Sequence, residues 1–195
     1  GARIDMGHAL PDDLLNMIMS EAKKNDPNFG FIAEELDPSH FEKAYRKGYD
    51  AVVGNGFWME ARYEQQKLKE YIFSSHQYTL PMFASIETHD TPRAASRKGG
   101  RAFSRMITIL NMFVPKMIPF INSGQEVYEV QPMNLGLDAT EKDLYHLDEN
   151  DLYYKKLALF DKFAIHYLNP NRWELFDHLK GLVDLRKSWL DAIVD

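Results

Sequence analysis

One pattern constrains the fold of this chain more than any other: short apolar runs take turns with longer segments of helical periodicity. The runs are "ARIDM", "FGFIAEEL", "YDAVVGNGF", "LPMFASIETHD" and "MIPFINSGQE". Between them lie "PDDLLNMIMSEAKKND", "PSHFEKAYRKG", "MEARYEQQKLKEYIFSSH" and "ASRKGGRAFSRMITILNMFVP". In the first of these, Leu14, Leu15, Ile18 and Met19 recur at helical steps. Strands that are apolar along their length, rather than at every second residue, are buried on both faces. Such strands alternating with helices predict a parallel sheet. The order is β-α-β-α-β-α-β-α-β, then a long polar segment, then a last helix, "RWELFDHLKGLVDLRKSWLDAIV". This α/β pattern fits an open doubly wound sheet or five-eighths of a (β/α)8 barrel.

Local signals support the element boundaries. Pro11, Asp12 and Asp13 suit a helix N-terminus, Gly48 a helix stop, and Pro115 ends the long helix before it. One connection is long. Segment 127–171 separates the fifth strand from the last helix, and part of it, "DLYYKKLALFDKFAIHYL", reads as helical. Long connections often carry function. The sequence shows no repeat, no low-complexity tract and no internal domain boundary, so 1–195 reads as one unit with an insertion.

Composition narrows the function classes. The 195 residues are 45% hydrophobic and 13% aromatic, the make-up of a folded globular protein. The net charge of −6 gives no broad basic surface for nucleic acid. No apolar run reaches the roughly 18 residues of a membrane span. The absence of cysteine excludes disulfides and thiolate metal sites. The opening "GARIDMGHALP" lacks the basic end and apolar block of a secretory leader, so the expectation is a cytoplasmic protein. The same opening reads as the middle of a domain, with strands expected upstream.

Polar residues collect where the predicted strands end: Arg3 and Asp5, then Glu34 and Glu35, Asn55, then Glu87, His89 and Asp90, then Gln125 and Glu126. An acid at one strand end commonly caps the next helix. Five consecutive endings of this kind suggest a shared site instead, because the C-terminal strand ends of a barrel converge. No G-x-G-x-x-G, P-loop, H-E-x-x-H or G-x-S-x-G motif is present, so no nucleotide cofactor, zinc or serine nucleophile is expected. Carboxylates remain, and paired carboxylates suit glycosidic bond cleavage.

Four stretches carry a resemblance. "ARID" resembles the nucleophile motif of the alpha-amylase family (glycoside hydrolase family 13), in which Arg precedes the catalytic Asp by two. "FIAEEL" is similar to that family's acid/base strand, "ETHDTPR" to its His-Asp motif, and "MIPFINSGQEV" to its last barrel strand. They occur in the family's order and span most of the chain. The resemblance implies the C-terminal part, about strands 4 to 8, of a (β/α)8 barrel. A missing N-terminal barrel half would lie on the same or another chain. It implies a retaining enzyme acting on α-1,4-glucans or maltooligosaccharides, with no cofactor, through a covalent glycosyl-Asp5 intermediate. Glu34, following Phe31, Ile32 and Ala33, matches the general acid/base, and Asp90 the transition-state stabiliser. Arg3, His8, His89, Asn55 and Trp58 are the implied substrate-side residues; Thr88 stands where the family has Asn. Phe57, Tyr128 and Tyr145 are further candidate sugar platforms. "ARIDMGHALP" and "NSGQEVYEVQPMNLGLD" resemble the family's 4-α-glucan maltosyltransferases more than ordinary amylases, which implies transfer of maltosyl units. An α-amylase or α-glucosidase-type hydrolase and a non-catalytic carbohydrate-binding barrel are the alternatives.

The other histidines, at 40, 76, 146, 166 and 178, lack ligand-like spacing and read as surface or satisfied core residues. The acidic run "LDATEKDLYHLDEND" lacks a calcium-loop pattern and reads as a solvated segment.

Overall fold

The computed structural model describes residues 1–56, 65–159, 161 and 164–194. Its strands are β1 (Ala2–Ile4), β2 (Phe31–Ala33), β3 (Ala51–Val52), β4 (Met82–Ala84) and β5 (Met117–Pro119). The helices between them are α1 (Asp12–Asn25), α2 (Phe41–Arg46), α3 (Gln65–Ser74) and α4 (Gly100–Asn111), and the chain ends in α5 (Glu174–Ser188) and α6 (Leu190–Val194). No described helix is long and apolar enough to cross a membrane.

Strand order decides between the two architectures left open by the sequence. All neighbouring strands pair in parallel, in the order β1-β2-β3-β4-β5. A doubly wound sheet reverses direction at a switch point, so its order is not the chain order. An order that steps once per strand, always to the same side, is the wall of a (β/α)8 barrel. The chain is therefore a partial barrel of five consecutive strands with alternating helices.

The two faces of this wall are assigned by side-chain parity. Phe31, Ala33, Val52, Met82, Ala84 and Met117 are buried against Leu15 and Met19 of α1, Phe41 and Ala44 of α2, and Tyr71 of α3. Ile32 and Phe83, one residue out of step, line a cavity on the opposite face together with Val53. Alternation of Cβ direction along a strand produces this division. It puts Glu34 on the cavity side with Ile32. Glu35 turns to the other side, where it is buried and accepts the Asp37 amide at 3.1 Å.

Polar groups fasten the helical layer to the sheet. Asn111 of α4 donates to the Ala84 carbonyl at 3.1 Å, and the Tyr71 hydroxyl donates to Asn111 at 3.3 Å. Gln125, beyond β5, donates to Thr108 of α4 at 2.8 Å, so this strand-end amide serves the core.

Two sequence expectations change. The last helix is broken at Trp189, leaving α5 and α6. The helical reading of 151–168 does not hold: its described residues form turns and loop. Side chains there take the amides a helix would use. Asp151 accepts the Tyr153 amide at 2.8 Å and Asp161 accepts the Leu157 amide at 2.6 Å, the local competition that disfavours helix. Regular structure in the insertion sits earlier, in a 3-10 turn at Glu141–Tyr145 opened by a Thr140/Asp143 capping box.

Candidate active site

The ends of β1 and β2 bring three candidate residues together. Arg3 is the hub. Its Nη1 donates to Asp5 Oδ1 at 2.8 Å, and its Nη2 meets Glu34 Oε1 at 2.6 Å. The second oxygen of Glu34 accepts the Met6 amide at 2.9 Å. Met6 adopts a left-handed conformation (φ 44°), which turns the chain directly after Asp5. One guanidinium thus spans two carboxyl groups from neighbouring strands, the planar fork geometry for which arginine is suited.

The two carboxyls are not equivalent. The Asp5 side chain is 72% exposed and that of Glu34 19%. A hydrogen bond shared with Glu34, then the hydrogen bond and charge of Arg3, hold Asp5 below the usual aspartate range; His89 adds a smaller push in the same direction. Both Glu34 oxygens are engaged, one by Arg3 and one by the Met6 amide, while Asp5 stays largely in solvent.

Asp90 lies at the same cavity, after β4. A tight turn presents it: the Thr88 amide donates to Thr91 Oγ1 at 2.8 Å and the Asp90 amide to Thr88 Oγ1 at 3.2 Å. Both carboxylate oxygens have partners. Oδ2 is 3.1 Å from His89 Nε2, and Oδ1 accepts Asn134 Nδ2 at 2.9 Å. Arg3, Glu34, Thr88, His89 and Asp90 all line this cavity of about 310 Å³, whose floor and walls include Phe83 and Phe120. Asp5 stands beside it, joined through Arg3 and Glu34.

Other candidates sit elsewhere. His8 is exposed and borders a small crevice with Glu35, His40 and Tyr49, on the far side of β2 from Glu34. Asn55 does not line the cavity, and its side-chain oxygen is buried without a hydrogen-bond partner among the described residues. Trp58 and Phe57 lie outside the described residues. Tyr128 is buried beneath Arg101 on the helical side, and Tyr145 packs edge-on to Tyr154 in the insertion, so neither faces the cavity. Among the described residues no three His, Asp or Glu side chains gather as a metal site.

Sequence reasoning missed the groups that support Asp90. Glu87, left without a role, forms a fully buried ion pair with Arg93 at 2.7 Å. Arg93 also donates to the carbonyls of Ser123, at 2.7 Å, and Gln131, at 2.9 Å. Glu87 accepts Asn122 Nδ2 at 3.1 Å and the Ala94 amide at 2.6 Å. This network joins the turn after β4, the end of β5 and the insertion. In "ETHDTPR" the acid and base of this pair stand six residues apart around the His-Asp pair, a spacing that does not by itself predict their contact. Farther out, His166 is held between Glu129, at 2.6 Å, and Asp151, at 3.0 Å. Leu137 also lines the cavity and Asn134 bonds Asp90 at its rim; both lie in the stretch "NSGQEVYEVQPMNLGLD" but were not singled out there.

No protein-family model and no curated protein matches the sequence. Solved structures do match the fold. The alpha-amylase from Geobacillus thermoleovorans, complexed with acarbose, superposes with a TM-score of 0.63 at 18% identity, over 95% of this chain and 40% of that one. An Anoxybacillus alpha-amylase gives 0.60 at 18% identity, over 94% and 38%. The cyclic alpha-maltosyl-(1-->6)-maltose hydrolase from Arthrobacter globiformis, in ligand-free form, gives 0.51 at 14% identity, over 78% and 36%. The chain spans less than half the length of each of these structures.

Proposed function

We propose that this barrel face belongs to a retaining α-glucan-acting enzyme of the alpha-amylase family. One observation carries the reading: a single guanidinium holds Asp5 and Glu34 side by side, with Asp90 at the same cavity. In the proposed reaction Asp5 attacks the anomeric carbon while Glu34 protonates the departing glycosidic oxygen. Retaining enzymes place these carboxyls about 5–5.5 Å apart, and a shared arginine favours such closeness. Asp90 accepts hydrogen bonds from ring hydroxyls as positive charge develops on the sugar, and His89 lies at its side. Glu34, freed of its proton, then takes the proton of the acceptor hydroxyl as that oxygen attacks the anomeric carbon and releases the Asp5 carboxylate.

Water is the first choice of acceptor, giving an α-amylase or α-glucosidase-type hydrolase. The similar solved structures favour it: two are alpha-amylases and one is a maltosyl-maltose hydrolase. Maltosyl transfer is the second reading. It is favoured by the resemblance of "ARIDMGHALP" and "NSGQEVYEVQPMNLGLD" to maltosyltransferases, and by the insertion lying against Asp90, where it can limit water. The barrel is proposed to close through further strands, on the same or another chain, pairing with the outer edges of β1 and β5, which bond no other described strand.

Incubating the full protein with a maltooligosaccharide tests this. Steady appearance of reducing ends supports hydrolysis. Chain lengths redistributed in steps of two glucose units, with little free glucose, support transfer. Asp5→Asn should abolish both while maltooligosaccharide binding persists. Wild-type turnover by that variant would overturn the assignment of the nucleophile.

A further inference from the structure

The segment Asn134–Leu137 is the part of the insertion nearest the acids, and its conformation is unusual. Leu137 has a left-handed backbone (φ 41°), uncommon for any residue but glycine. Its side chain is 50% exposed, yet it lines the cavity beside Asp90. A hydrophobic side chain held in a costly conformation and left half in water gains little for the fold. The segment is fixed from both sides. Asn134 Nδ2 donates to Asp90 Oδ1, and the Ala139 amide closes a turn onto the Gly136 carbonyl at 2.8 Å. Gly136 lets the chain pass close over the acid: a Cβ there would stand 3.2 Å from Asp90 Oδ1. Ile32, Leu36, Val53, Phe83 and Phe120 give the cavity it borders apolar walls beside the charged groups.

We infer that Leu137 is a specificity-determining residue, an apolar lip that packs against the carbon face of a glucose ring bound at Asp90. This deepens the proposed α-glucan reading and rests on it. A pyranose ring presents hydroxyls at its rim and C–H groups on its faces. Asp90 and His89 take the rim, and Leu137 covers a face. Asn134 is a positioning residue that holds lip and acid in register.

Leu137→Gly separates binding from folding, because glycine suits the left-handed backbone and the lost side chain is half exposed. In the full protein, affinity for maltooligosaccharides, measured by calorimetry, should fall about five- to ten-fold for Leu137→Gly and Leu137→Ala. The unfolding midpoint should be unchanged or raised for Leu137→Gly. Leu137→Met, which keeps an apolar lip, should restore most of the affinity. Wild-type affinity in both truncated variants would overturn the inference while leaving the α-glucan reading intact. If the unaltered protein neither binds nor turns over maltooligosaccharides, both fall together.

Discussion

The two halves of the candidate site are built differently. Around β1 and β2, Asp5 and Glu34 depend on one partly exposed arginine at the edge of the sheet. Around β4 and β5, Asp90 stands on a turn supported by Glu87 and Arg93, both fully buried and bonded to the end of β5 and to the insertion. The edge half is suited to chemistry: its charges remain within reach of solvent and of each other. The inner half is suited to position. A buried ion pair adds little net stability but is costly to break, so it fixes geometry more than it adds stability.

Breaking the inner half should have the largest effect. Arg93→Leu leaves the Glu87 carboxylate buried without its charge partner, at a cost of about 3–5 kcal/mol in urea denaturation. A cost below about 1 kcal/mol would remove the contrast between the halves. Gly124→Ala comes next. Gly124 has φ 94°, and a Cβ there would lie 2.8 Å from Glu129 Cγ and 3.1 Å from Arg93 Nη2. A loss of about 1–3 kcal/mol is expected from backbone strain and crowding, read from the same denaturation curves.

At the edge, the expected change is in pH dependence more than in stability. Arg3 helps hold Asp5 below its ordinary value. An aspartate with a lowered folded-state pKa is ionised above that pKa and loses its charge, and its contribution to stability, as pH falls through it. Arg3→Leu therefore moves the acid limb of the kcat/KM profile to higher pH, with a smaller change in unfolding midpoint than either inner variant. An unmoved acid limb would detach Arg3 from the ionisation of Asp5. As the smallest effect, Lys24→Ala breaks a solvent-exposed pair with Glu21 on α1 and should stay within about 0.5 kcal/mol.

Much of the wall was legible because its strands are apolar without alternation and its helices are periodic. The paired strands are shorter than those runs: "FGFIAEEL" contains only Phe31–Ala33 as ladder. Hydrophobicity marks burial, while pairing depends on where the neighbouring strand ends. Strand order could not be read, since both architectures use the same succession of elements. Position marked several strand-end acids, Glu87 among them, and the resemblance singled out Asp5, Glu34 and Asp90. The role of Glu87 was not legible, because nothing in the sequence shows that Arg93 folds back to meet it. The insertion was misread at 151–168, where apolar spacing looks helical but Asp151 and His166 pair with each other across the segment and His166 also bonds Glu129 outside it.

The strand order has a consequence for biosynthesis. Within β1–β5, each strand after the first lies beside the one made just before it. During translation the wall can grow vectorially, with every completed strand–helix unit offering a template to the next as it leaves the ribosome.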